Sequence, residues 1–197
     1  MTEPLDVRER MALCDLLLEL GPDAPTLCEG WTTADLAAHL VLREHFHRWS
    51  DAQRAVEKAK GFPAVVARLR AGAPLIPWRL PRIRNTFNGL EYFIHHEDVR
   101  RANGRDSRPP MADLEAIAWG PTGYGARRLA RAIRPYGLEL VRPDGARKQR
   151  GSGDMAVLTG PASELILYLG GRRATAHVVL SGAPAAVAAV ERSKITL

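Results

Sequence analysis

The run Arg105-Asp106-Ser107-Arg108-Pro109-Pro110 constrains this chain most, because two adjacent prolines close a charged stretch that neither a helix nor a sheet carries through. On its N-terminal side the apolar residues keep a helical period. Leu5, Met11, Leu16, Leu17 and Leu20 mark a first helix over 4–20, stopped by Gly21-Pro22. Thr32, with Asp35 three residues on, resembles a capping box and opens a second helix that runs to Trp49. A third covers 51–71, Pro74, Pro77 and Pro81 break the pattern, and a fourth covers 85–103 before Gly104. Four such segments joined by modest loops predict a four-helix bundle over residues 1–105.

Beyond the linker the period is mixed. Residues 113–133 read as a helix, although Gly120-Pro121 and Gly123 disturb its first part. Gly137 to Arg142 alternates and ends at Pro143-Asp144-Gly145, a strand and its turn. Met155 to Thr159 is a second strand, 161–169 a helix, Thr175 to Leu180 a third strand and 184–192 a last helix. Helices and strands segregate, so residues 111–197 are expected to form a small α+β domain.

With 46% hydrophobic and 25% charged residues in 197, the composition is that of an ordinary globular chain. No apolar run approaches the roughly 18 residues a membrane span needs, and the N-terminus lacks the apolar core of a secretory leader. Cys14 and Cys28 are too few for a disulfide framework or a thiolate metal site, so a reduced, cytoplasmic compartment is expected. Of the 28 basic residues only Lys58, Lys60, Lys148 and Lys194 are lysine, and arginine suits the recognition of carboxylates. Arg127, Arg128, Arg131 and Arg134 form a helical basic stripe. It reads as a solvated face, with phosphate or nucleic-acid binding as the lesser alternative.

Dinucleotide-binding, P-loop, zinc-protease and serine-hydrolase signatures are absent. Histidine, by contrast, is concentrated: His39, His45, His47, His95 and His96 are five of the six. Glu91 and His95 are four apart on one helix and share a face. His39 lies mid-helix among Leu36, Leu40 and Val41. A His, Glu, His set with one open position fits a catalytic zinc or related divalent site built from facing helices. On spacing alone a surface Glu–His pair and a hydrogen-bonded core histidine are the commoner readings. Leu90, Tyr92, Phe93 and Ile94 surround Glu91, however, and a carboxylate in apolar surroundings needs a partner such as a cation. His45, His47 and Trp49 read as a solvated helix end or a pocket mouth, and Trp31 as packing at the start of the second helix.

Leu27-Cys-Glu-Gly-Trp-Thr-Thr-Ala-Asp-Leu-Ala-Ala-His39-Leu and Asn88-Gly-Leu-Glu-Tyr-Phe-Ile-His95-His-Glu-Asp98-Val-Arg-Arg resemble the DinB-like, mycothiol-dependent maleylpyruvate isomerase superfamily, and most closely its small actinobacterial metal-binding branch. The likeness continues through Gly160 to Arg172 and Ser181 to Val190. It implies a DinB-like bundle with a divalent metal, zinc by preference, held by His39, Glu91 and His95. It also implies a sterol-carrier-like second domain. Asp35 and Asp98 are candidates to orient the ligand imidazoles. In the isomerase, as the resemblance implies, the metal binds the thiol cofactor and an arginine assists the substrate; Arg172 is the candidate here, with Arg173 behind it. The expected function is therefore a metal-dependent, mycothiol-type thiol transferase or isomerase acting on a small anionic electrophile. The alternative is a non-catalytic metal-binding protein that holds a small apolar ligand. Nucleic acid ranks last among partners, no membrane partner is expected, and the oligomeric state is left open.

Overall fold

The computed structural model describes residues 3–44, 50–72 and 84–194, which divide into two compact units, Met1–Arg108 and Pro109–Leu197. His45, His47 and Trp49, and Pro74, Pro77 and Pro81, lie outside the described residues. The first unit is helical: α1 (Leu5–Leu20), α2 (Thr33–Glu44), α3 (Asp51–Lys58), α4 (Phe62–Ala71) and, entered through a π-helical turn at Arg84–Asn88, α5 (Gly89–Ala102). Thr32 stands at the start of α2, where its backbone N–H donates to Asp35 Oδ2 at 3.1 Å, the return half of a capping box.

The single helix expected over 51–71 is two. Ser50 Oγ caps α3 by accepting from the Gln53 N–H at 3.2 Å. The chain then breaks at Gly61, whose φ of 89° lies in the left-handed region, and Pro63 restarts a helix in the first turn of α4. The helices close over Leu13, Leu17, Leu36, Leu40, Leu69 and Tyr92, all fully buried.

Beneath this apolar core lies a buried charge network. Arg108, at the end of the unit, donates from Nε to Glu97 Oε1 at 2.7 Å and from Nη1 to Glu9 Oε1 at 3.1 Å. Arg101 Nε also reaches Glu97, at 2.7 Å. Both glutamates are buried at 1% exposure. Arg108 thus pins the charged end of the expected linker onto α1 and α5, and the first unit extends to it.

The second unit begins with α6 (Ala112–Ala132), followed by β1 (Gly137–Val141), β2 (Arg147–Arg150), β3 (Met155–Thr159), α7 (Ala162–Leu169), β4 (Val179–Gly182) and α8 (Pro184–Arg192). The sheet order is β2-β1-β3-β4, with β1 and β3 parallel and both outer strands antiparallel to their neighbours. The protein is therefore helix-rich with one small mixed sheet. Pro121 lies inside α6 without ending it, and Lys148 Nζ hydrogen-bonds the carbonyls of Trp119 and Gly120 beside it, the latter at 3.2 Å. Gly125 lets α7 approach, since a Cβ there would come within 2.9 Å of Leu169 Cβ. Glu115 of α6 accepts the Ala162 and Ser163 N–H groups at 2.5 and 3.3 Å, which places a carboxylate at the start of α7.

Two strand expectations change. Strand β2, Arg-Lys-Gln-Arg, has no apolar residue and so no alternation to read; it is an edge strand paired to β1. The third expected strand, Thr175 to Leu180, is displaced to β4. Thr175 and Ala176 donate to the Arg172 carbonyl, and His177 N–H donates to Glu164 Oε2 at 2.7 Å, which holds that stretch in turns against the end of α7. Among the described residues no helix is long and apolar enough to cross a membrane.

Arg108→Ala would leave Glu9 and Glu97 short of a buried partner. We expect a loss of about 3 kcal/mol, read as a lower midpoint in urea unfolding with an unchanged slope.

Candidate metal centre

The site lies wholly in the first unit, where α2 and α5 meet. Glu91 and His95 are one helical turn apart on α5, and His95 Nε2 sits 3.4 Å from Glu91 Oε1. His39, brought across on α2, places its Nε2 3.8 Å from the same oxygen. The two imidazoles meet edge to face, with centroids 5.5 Å apart. The ligand atoms of His39, Glu91 and His95 all lie within 4.8 Å of one another. Around a tetrahedral divalent ion with bonds of about 2.0–2.2 Å, neighbouring ligand atoms stand roughly 3.3–3.6 Å apart. Two imidazole nitrogens and one carboxylate oxygen at these separations fit such an ion after small side-chain adjustment.

The protonation states suit the role only in part. Burial, with the nearby His95 and Arg43 charges, holds His39 below the ordinary imidazole value against the pull of Glu91, so it is neutral and ready to ligate at pH 7. Burial opposes ionisation of Glu91, but hydrogen bonds from His39 and His95 and the charges of His95 and Arg43 outweigh it, and its pKa falls well below the carboxylate range. Burial likewise opposes the charged form of His95; Asp98, Cys28 and Glu91 overcome it and raise its pKa well above the usual value. A proton on His95 would thus compete with a cation for this position.

Asp98 sits one turn beyond His95, fully buried, with Oδ2 at 2.9 Å from His95 Nδ1. That contact fixes the proton on Nδ1 and turns Nε2 toward Glu91. Asp35 does not reach an imidazole. Its carboxylate takes the Thr32 N–H and hydroxyl and pairs with Lys58 at 2.7 Å. His96 turns away, to Glu9 Oε2 at 3.2 Å.

Two contributors escaped the sequence reading. Cys28, set aside there, donates from Sγ to Asp98 Oδ2 at 3.3 Å and stands 3.8 Å from His95 Nδ1. Its one sequence signal is its place in the Leu27 to Trp31 run, directly before α2. The other cysteine is inert: burial pushes the Cys14 thiol up to about 12. Arg43, one turn beyond His39, places Nε 3.2 Å from Glu91 Oε1 and donates from Nη1 to Asn88 Oδ1 at 2.8 Å. Trp31 packs its ring on His39, centroids 5.0 Å apart, with the Arg54 guanidinium 4.4 Å above the indole.

Arg172 and Arg173 belong to the second unit. Arg172 Nη1 donates to the Gly170 carbonyl at 2.6 Å, and Arg173 holds the carbonyls of Val190 and Ser193 at 2.9 and 2.8 Å. Both thus serve helix ends.

Asp98→Asn replaces the charged carboxylate that orients His95 with a neutral amide, a weaker acceptor. We expect a 10–100-fold weaker affinity for Zn2+ with the fold retained, measured by competition with a chromophoric chelator. Because the ion displaces the His95 proton, affinity in the wild type should rise about tenfold per pH unit between pH 6 and 7, with proton release near one per ion by calorimetry in two buffers.

No family model matches the chain, and no curated protein does so either. Its fold is matched by two solved structures, the mycothiol-dependent maleylpyruvate isomerase and a histidine-to-alanine variant of it, each at a TM-score of 0.60 and 18% identity over 90% of both chains. The chain thus has the fold of the mycothiol-dependent maleylpyruvate isomerase, the structural counterpart of the family its motifs resemble.

Proposed function

We propose that the protein is a divalent-metal-dependent enzyme that uses a low-molecular-weight thiol, of the mycothiol type, to transfer or isomerise a small anionic electrophile. One observation carries this reading: the Nε2 atoms of His39 and His95 converge on a single oxygen of Glu91, inside a fold shared with a thiol-dependent isomerase. In this reading His39, Glu91 and His95 hold the ion, zinc by the chemistry of the donor set. When bound, the ion supplies a lowered thiol pKa and hence a thiolate at neutral pH, from about 8.5 for a free cysteine-type thiol.

The chain's own groups have separable tasks. Asp98 keeps the His95 proton on Nδ1. Arg43 holds Glu91 in place and sets a positive charge beside the ligands, which favours an anionic substrate. Trp31 and its Arg54 partner shield His39 from water. Arg172, the candidate for the substrate carboxylate, is assigned that role by resemblance only. The first unit is read as a DinB-like bundle in which α3 and α4 together replace one long third helix, and the second as a sterol-carrier-like domain, with the boundary at residues 108 and 109.

Metal analysis of the purified protein tests the reading. One divalent ion per chain is expected, lost in both His39→Ala and His95→Ala, with a melting temperature that rises on adding Zn2+ to the wild type alone. Mycothiol-dependent turnover of maleylpyruvate, absent in those variants, would extend it to the reaction. Wild type that is metal-free and takes up no ion would overturn it.

A further inference from the structure

A second site lies in the other unit, and the metal centre does not account for it. At the C-terminal end of α6, Arg127, Arg131 and Arg134 border a groove of about 580 Å3. Their spacing of four and three residues puts them on one helix face. Arg150, the last residue of β2, closes the opposite side, and Pro135 and Tyr136 provide an apolar wall. Arg128, grouped with the stripe in the sequence, does not line the groove. The volume is enough for a small molecule, in a groove that is open on one side.

The charge in this groove is uncompensated. The other arginines of the β1–β2 hairpin are paired, Arg142 with Asp144 at 2.7 Å and Arg147 with Glu139 at 3.2 Å. Among the described residues, by contrast, no carboxylate forms an ion pair with Arg127, Arg131, Arg134 or Arg150. Arg150 is the most constrained of the four. Its Nη1 donates to the Gln149 carbonyl at 2.8 Å, and its Nη2 lies over α6 at Gly123, where a Cβ would come within 3.4 Å. Its Nε is buried and meets no acceptor among the described residues. The negative end of the α6 dipole accounts for cations at Arg131 and Arg134, in or just past the last turn, but not for Arg127 or for Arg150 on a strand. Four arginines lining one concavity bring like charges together, and an anion bound there would relieve that repulsion while satisfying their forked donors.

We propose that this groove binds a small organic phosphate, its phosphate or pyrophosphate group held by Arg127, Arg131, Arg134 and Arg150 and its organic part lying against Pro135 and Tyr136. Phosphate fits better than a single carboxylate because four arginines around one groove offer more donors than one carboxylate can accept. A compact groove with an apolar wall favours a small molecule over a nucleic-acid backbone, which would be tracked by an open basic stripe.

The test is isothermal titration of the full chain with ADP, with inorganic pyrophosphate and with a twelve-nucleotide single-stranded DNA, in EDTA so that the metal centre takes no part. ADP should bind in the micromolar range and pyrophosphate more weakly. Arg127→Gln/Arg131→Gln, on exposed helix positions, and Arg150→Gln should each weaken ADP about tenfold or more, with circular dichroism and melting temperature unchanged. Tyr136→Leu should weaken ADP but not pyrophosphate. Absence of ADP binding, binding indifferent to both arginine variants, or tighter binding of the oligonucleotide than of ADP would each overturn the proposal. None of these outcomes bears on the metal centre, whose own test is metal content.

Discussion

The Glu91 carboxylate is the point on which the first unit turns. A carboxylate drawn largely out of water between two imidazoles is costly unless its charge is met. It is met from α2 rather than from its own helix alone, by His39 and Arg43, with His95 completing the set. The site thus forms only once side chains of α2 and α5 have been brought together. The polar chain continues inward through His95 to the fully buried Asp98 and on to Cys28. Each member is positioned by the next, so the orientation of the Nε2 atom that faces Glu91 depends on a thiol in the loop before α2.

Arginine serves this protein in three physical ways that composition cannot separate. Arg108 and Arg101 are buried partners of Glu9 and Glu97, where they compensate acidic charge inside the fold. Arg43 works at the candidate metal centre, braced by Asn88. Arg127, Arg131, Arg134 and Arg150 gather around a groove where, among the described residues, no carboxylate pairs with them. The excess of positive charge read from the sequence is therefore not spread evenly. Much of the basic charge in the first unit is internally balanced, and an uncompensated cluster stands in the second.

Structural likeness at 18% identity carries the fold and not the chemistry. What joins the two is local geometry. The fold brings the middle of α2 against the first turns of α5, and this chain has His39, Glu91 and His95 at those places. Nothing comparable marks Arg172, whose hydrogen bond is to the carbonyl of Gly170 at the end of its own helix.

What the sequence determined by itself is what depends on neighbours within about four residues. Helix period, the Thr32–Asp35 cap, the stop at Gly21-Pro22 and the shared face of Glu91 and His95 were all legible, because each is set by local backbone geometry. The break at Gly61 was also written locally, in Gly61-Phe62-Pro63, but the continuing apolar period masked it. Only the tertiary structure decided the rest. It carried α6 past an internal proline, Pro121, and it made a strand of Arg147 to Arg150 by pairing them with β1. It also added Cys28 and Arg43 to the site. Cys28 acts through Asp98 and Arg43 through Glu91, partners distant in sequence, and a contact between distant residues leaves no period to read; it exists only once the helices that carry them have packed.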